Sequence, residues 1–344
     1  MSADQARFWQ TLDGALQGGQ PALLAIVAEH TDHSPGTTGA RMLVLPGGKT
    51  IGTIGGGIME YDLQQQAAQW LEADHPGAEI RTLFHRSSGP GDKSGLICAG
   101  SQTNLTTLCH TAADRQAVST AAALTAADKP GLLRIGPGGM SAEATSGEPV
   151  APRIRLHRPP DRDGAGWAYE EQLLNFRRIA IIGAGHCSLA LSQVMRQLGY
   201  TITVIAAMDE QDKVAGQPYA RHVRPVDDYR NAGACIDYPG LTRVVIMTAR
   251  VATDIRALLG LQGRAFPFVG VMGSAAKIAA IMQGLDGPGA AASGLPNLRA
   301  PVGLPIGSHT PEEIAISIAA QLLAEEAGAN PQPALAADGE EIAV

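Results

Sequence analysis

The sequence predicts an α/β protein with a parallel-sheet domain in its C-terminal half and a smaller α/β domain at its N-terminus. Three observations predict it. An apolar strand over 179–182 leads through a glycine turn into a helix and a second apolar strand. Two later strand-length apolar runs, 243–248 and 268–272, are each followed by a helix-compatible segment. The first hundred residues alternate short strands with one amphipathic helix. At 344 residues the chain has the length of about two domains of roughly 150 residues each. Its 45% hydrophobic and 17% charged content is too apolar for a disordered chain, and no run approaches the roughly 18 apolar residues of a membrane span. The net charge of −7, with no basic cluster, argues against nucleic acid and gives no reason to expect a membrane partner. Asp4, Arg7 and Asp13 interrupt the N-terminal segment, so no secretory signal is read there and a cytoplasmic protein is expected. Cysteines 98, 109, 187 and 235 are too sparse for a disulfide framework and read as reduced thiols.

In chain order, Ala22 to Ala28 is a continuous apolar run after Pro21, short enough for a buried strand. Arg41 to Leu45 and Lys49 to Ile54 flank Pro46-Gly47-Gly48, a hairpin signal. After Gly55-Gly56-Gly57, Leu63, Ala67, Trp70 and Leu71 fall at helical spacing, so 58–73 is an amphipathic helix. Strands are expected over 80–84 and 102–108, closing an N-terminal domain at 1–110. The stretch 111–176, with an Ala-rich helix candidate and the run Arg158-Pro159-Pro160-Asp161-Arg162-Asp163, reads as a connecting region ending in a linker. The second domain spans 177–327. Its last helix opens with Thr310 as cap, Pro311 in the first turn and two acids behind them. Residues 328–344 read as a flexible tail.

Three glycine clusters carry the chemistry. Gly183-Ala184-Gly185-His186 lies between a strand and a helix, where a Rossmann-like fold brings an anion to unpaired helical N–H groups. The third glycine position is Ser188, and the second strand ends in Ala206-Ala207-Met208 without a ribose-binding acid, Asp209 falling late. Phosphate or a pterin nucleotide is therefore preferred to ordinary NAD(P). Gly55, Gly56 and Gly57 form a candidate anion nest, and Glu60 is either a first-turn capping carboxylate or a polar ligand contact. Gly273, Ser274 and Lys277 repeat the strand, glycine and helix design with a hydroxyl and a cation, giving a second candidate phosphate site or a plain capped helix. Cys98, between small residues, is a buried thiol or a contact to a metal or sulfur-bearing group.

Together these blocks resemble the XdhC/CoxI family, the accessory proteins of xanthine dehydrogenase and related molybdenum hydroxylases. GTIGGGIMEYD at 52–62, GLICAG at 95–100, IIGAGH at 181–186, FVGVMGSAAK at 268–277 and GLPIGSHTPEEIAISI at 303–318 are similar to five family blocks in the same order. The resemblance implies a protein that binds the molybdenum cofactor (molybdopterin), holds it while a cysteine desulfurase supplies the terminal sulfido ligand, and delivers it to a molybdenum hydroxylase apoenzyme. Such a role makes the chain a cofactor-binding accessory protein more than a catalyst. It also implies that Cys98 touches the molybdenum or its sulfur, and that a homodimer is the expected assembly. Three features depart from the family pattern: Ala249 follows Thr248 where relatives commonly have a histidine, the C-G-G motif reads Cys98-Ala99-Gly100, and the second strand ends at Ala206 without an acid. The alternative is an NAD(P)-dependent oxidoreductase on the same Rossmann half, with His186 or Lys277 as acid or base.

Overall fold

A strand that is apolar on both faces has to be covered on both, and the strand Ala22–His30 is apolar and buried at every position over 22–28. The computed structural model describes residues 5–73, 77–86, 91–95, 100–149, 154–158, 166–210, 217–285 and 294–328. The chain divides into two compact units, Met1–Asn175 and Phe176–Val344.

The first unit opens with helix α1 (Gln5–Gln17), followed by β1 (Ala22–His30), β2 (Arg41–Val44), β3 (Thr50–Gly52), α2 (Ile58–Ala73), β4 (Ala78–Phe84) and β5 (Ser101–Cys109). Its antiparallel sheet has the order β3-β2-β1-β5-β4, with β1 at the centre. Side chains alternate across a strand, and β1 divides accordingly. Ala22, Leu24, Ile26 and Ala28 meet Phe8, Trp9 and Leu12 of α1, while Leu23, Ala25 and Val27 meet Met59, Leu63, Ala67 and Trp70 of α2.

The expected connecting region is instead part of this unit. It forms α3 (Ala112–Ala126), β6 (Gly131–Gly136), β7 (Gly139–Ala144), β8 (Ile154–His157) and β9 (Ala168–Gln172), the strands pairing in the antiparallel order β7-β6-β9-β8. Val118, Ala121, Leu133 and Tyr169 share one core with Trp9 and Leu12. These strands are short, and β6 and β9 bury alternate residues only, so each carries half the apolar signal of a central strand. The expected linker residues 159–163 and the tail from 329 onward lie outside the described residues. Arg41 of β2 reaches Glu171 of β9 in a buried ion pair at 2.6 Å. The Tyr169 hydroxyl donates to the other Glu171 oxygen at 2.9 Å.

The second unit contains β10 (Arg178–Ile182), α4 (His186–Gln197), β11 (Thr201–Ala207), β12 (His222–Val226), β13 (Thr242–Ile246), α5 (Val251–Leu261), β14 (Val269–Val271), α6 (Ala275–Leu285), β15 (Leu298–Arg299) and α7 (Pro311–Glu326). Its six strands are parallel in the order β12-β11-β10-β13-β14-β15, the 3-2-1-4-5-6 arrangement of a doubly wound Rossmann sheet. Ile179 and Ile181 pack with Leu191 and Met195 of α4 and Ile318 and Leu322 of α7. Ala180 and Ile182 pack with Leu258 and Leu261 of α5 and Ile278 and Ile281 of α6. The capping box at Thr310 and Glu313 starts α7 as expected from its sequence. The strand order reverses between β10 and β13, and in such sheets ligands bind beyond the strand ends at that point.

Candidate functional site

At the end of β10 the backbone turns away at Gly183, whose φ is 114°. A Cβ there would lie 2.7 Å from the Met247 carbonyl oxygen, so glycine is required where the chain passes the end of β13. Gly185 caps α4 with an ordinary φ of −76° and no side-chain cap. A Cβ on it would meet nothing within 4 Å. The first-turn N–H groups of α4 thus lack a capping side chain, and a ligand can approach them closely. His186 opens the helix and is exposed. Ser188, at the third position of the glycine pattern, is buried with its hydroxyl unpartnered.

The loops after β13 and β14 lie on the other side of the reversal. Lys277 Nζ donates to the carbonyls of Thr248 at 2.9 Å and Met272 at 3.2 Å, and it pairs with the fully buried Asp254 at 2.6 Å. Its ammonium group therefore ties the two loops together. Asp254 also accepts from the Thr248 hydroxyl at 2.6 Å and the Thr248 N–H at 3.2 Å, fixing the segment in which Ala249 stands. Ser274 accepts from the Lys277 N–H at 3.3 Å, the helix-capping alternative for this residue. Gly273 is packed on Lys277, with a Cβ there falling 2.8 Å from Lys277 Cδ.

In the first unit, Gly55, Gly56 and Gly57 have φ of 123°, 81° and 68°. Glu60, in the first turn of α2, fills the turn they make. Its Oε1 accepts from Thr53 Oγ1 at 2.5 Å, Ile54 N at 3.0 Å and Gly56 N at 2.9 Å. The capping alternative for Glu60 is the one observed, and an internal carboxylate sits where an external anion was expected.

Two further stretches close on this turn. A Cβ at Gly55 would lie 2.7 Å from Gly36 N, and one at Gly100 would lie 2.7 Å from Ser34 N. Gly95 packs on Ile58. Cys98 lies outside the described residues; Gly95 and Gly100 on either side of it both pack against this loop system.

Beneath lies a polar network that sequence reasoning missed. His85, fully buried, has Ser34 Oγ 3.0 Å from Nε2 and Ser94 Oγ 2.6 Å from Nδ1. Gln102 accepts from Ser34 and from Gly36 N, and donates to the Ile54 carbonyl and to Asn104. Since Ser34 donates to Gln102, the His85 Nε2 carries the proton and Nδ1 accepts from Ser94. The one available signal was Gln102 and Asn104, amides of a kind depleted from strands, inside β5. Burial holds the His85 imidazole below its ordinary pKa and pushes the Cys187 and Cys109 thiols up. Among the described residues, no three His, Cys, Asp or Glu side chains are grouped to hold a metal ion. Among the described residues, no helix is long and apolar enough to cross a membrane.

Comparison with known proteins follows this division. Residues 179–322 match the family described as XdhC Rossmann domain, and residues 15–83 match that described as XdhC and CoxI family. The uncharacterized protein YqeB of Escherichia coli (strain K12) is 26% identical over 284 residues, 83% of this chain and 40% of that protein. The chain therefore spans well under half the length of that relative. A crystal structure of a xanthine dehydrogenase from Bacillus halodurans superposes with a TM-score of 0.70 over 94% of this chain and 96% of that one, at 22% identity. At that identity the likeness shows the fold alone.

Proposed function

Because the chain belongs to the XdhC and CoxI family, we propose that it is an accessory protein of a molybdenum hydroxylase, binding the molybdenum cofactor as cargo and delivering it to the apoenzyme. A cysteine desulfurase supplies the terminal sulfido ligand while the cargo is held, and xanthine dehydrogenase or a similar hydroxylase receives it. The observation that carries the reading is the uncapped first turn of α4 at the reversal point of the parallel sheet. A pterin phosphate is an anion, and unpaired N–H groups with the helix dipole behind them stabilise one there. Gly183 shapes the turn and Gly185 keeps the approach open. His186, the first residue of α4, contacts the phosphate in this reading. Gly273, Ser274 and Lys277 act by holding the neighbouring loops in position.

In the first unit, Gly55, Gly56, Gly57 and Glu60 shape the loop against which Gly95 and Gly100 pack. Cys98, between those two glycines in sequence, contacts the molybdenum or its sulfur in this reading, as a soft thiolate ligand suits. The protein works in the cytoplasm as a homodimer. The test is metal analysis and pterin fluorescence on protein purified anaerobically from a host that makes the cofactor. Near-stoichiometric molybdenum and pterin are expected, and a preparation holding neither overturns the reading.

The 3-2-1-4-5-6 strand order favours a second reading, an NAD(P)-dependent oxidoreductase. His186 is its acid or base, since the Lys277 ammonium is held by Asp254 and two carbonyls. Saturable NADH or NADPH binding in a fluorescence titration supports it, and no binding removes it.

A further inference from the structure

A cavity of about 430 Å³ opens in the first unit between the end of β1 and β8, lined by Ala28, Glu29 and His30 of β1, by Thr38, and by all four residues of β8. That volume is in the range of small-ligand sites. None of its lining residues belongs to the glycine turns. Its shape follows from where strand pairing stops. The β1–β2 ladder ends at Ile26 opposite Arg41, while β8 pairs with β9 and is the last strand of its sheet. An antiparallel edge strand turns every second N–H and C=O outward, and no backbone group among the described residues bonds to the free edge of β8. The floor is apolar, since Ile154 and Leu156 pack on the core of the unit beside Ala28.

The acids around this cavity are engaged, and two donors are left over. Glu29 is paired with Arg158 at 2.6 Å. Glu170, opposite Arg155 on β9, is taken by Arg134 at 2.9 Å and by His157 at 3.3 Å. Arg155 is exposed and makes no hydrogen bond or ion pair among the described residues. His30 is the second donor. The Thr38 N–H donates to its Nδ1 at 3.1 Å, and the Thr38 hydroxyl lies 2.8 Å from the same nitrogen. A ring nitrogen that accepts from a backbone N–H carries no proton, so the proton of the neutral His30 ring is on Nε2. That Nε2–H has no partner among the described residues, and the Thr38 contacts fix its direction.

We propose that this cavity binds a small organic oxyanion, a carboxylate or phosphate carried on an apolar body. The guanidinium fork of Arg155 and the His30 Nε2–H take the anionic oxygens. The outward N–H groups of β8 add donors, and the apolar body rests on Ala28, Ile154 and Leu156. Binding also acts on the neighbouring loop. An imidazole whose Nε2–H donates to an anion is a stronger acceptor at Nδ1, so an occupied cavity holds the Thr38 N–H more firmly.

The test is calorimetric titration of the full chain with benzoate and phenyl phosphate, each beside its bare counterpart, acetate or inorganic phosphate. At least one aromatic anion is expected to bind with millimolar or tighter affinity, and about tenfold or more tightly than its bare counterpart. Arg155→Gln, an exposed change that leaves the melting temperature in place, weakens that binding about tenfold or more, the loss of a hydrogen bond between charged groups. Arg155→Lys keeps part of it, and His30→Phe weakens it as well. Hydrogen exchange at the Thr38 amide slows on binding in the parent and not in His30→Phe. Benzoate binding the tighter identifies a carboxylic acid as the source, and otherwise a phosphate ester is the source. Gly185→Ala, which alters the first turn of α4, leaves the affinity unchanged. No millimolar or tighter binding by either aromatic anion overturns the inference, as do bare anions that bind equally well or an affinity unchanged in Arg155→Gln. Binding lost in Gly185→Ala also overturns it, because the anion then sits on α4.

Discussion

Glu60 Oε1 receives three donors from the glycine turn preceding its helix, so its removal leaves two backbone N–H groups without their acceptor. Glu60→Ala is expected to cost about 1–2 kcal/mol in a urea titration, with Glu60→Gln recovering part of it. His85 gives a pH-dependent counterpart. Burial lowers its pKa below the ordinary 6.5, so between those two values the unfolded chain binds the proton more readily than the folded one. Its contribution is complete above pH 6.5 and is lost as pH falls from there through the folded value. The melting temperature should therefore drop between about pH 7 and pH 5, and the drop should be smaller in His85→Asn. An equal drop in both proteins would exclude His85 as the source. Sequence made Glu60 legible as either a cap or a ligand contact, since a first-turn carboxylate suits both; the choice depended on where Thr53 and Ile54 turned.

Strand, turn and helix order in the second unit was legible because buried parallel strands are continuous apolar runs broken by glycine. What each glycine does was not, because φ and neighbours separate them. Gly183→Ala forces a Cβ to within 2.7 Å of a carbonyl oxygen at φ 114°, and is expected to lower stability by at least about 1–3 kcal/mol. Gly185→Ala meets open space; its melting temperature should stay near that of the parent while pterin and molybdenum content falls. Loss of folding in Gly185→Ala, or full cofactor content, would count against the first turn of α4 as the anion site. The role of Lys277 was hidden for a similar reason, since its partners Thr248 and Asp254 belong to the loop after β13 and to helix α5. Lys277→Met strands the buried Asp254 and should cost about 3–5 kcal/mol in denaturant melts. Lys277→Met with Asp254→Leu should recover much of it.

Across the whole chain, the two α/β parts could be read from sequence, but residues 111–175 could not be assigned to the first. Half-buried strands carry a weak periodic signal, and the contacts that place them run back to α1 over a hundred residues. A chain ending at residue 110 exposes Trp9, Leu12 and Leu16, which share a core with α3 and β6; it should aggregate or melt without cooperativity. One ending at residue 175 retains that core and should melt cooperatively by circular dichroism. The two-faced burial of β1 bears on how that core is assembled. A strand with one polar face resists slipping because a shift of one residue turns every side chain over. β1 has no polar face over 22–28, so hydrophobicity alone does not tell its correct alignment from the inverted one. Arg41, opposite Ile26 on β2, supplies a check: its guanidinium meets Glu171 in the present register, and a slip of β2 by one residue would swing it to the opposite face, leaving both charges buried and alone. The ion pair is then a proofreading contact, adding little to the depth of the native state and much to the penalty of the misaligned one.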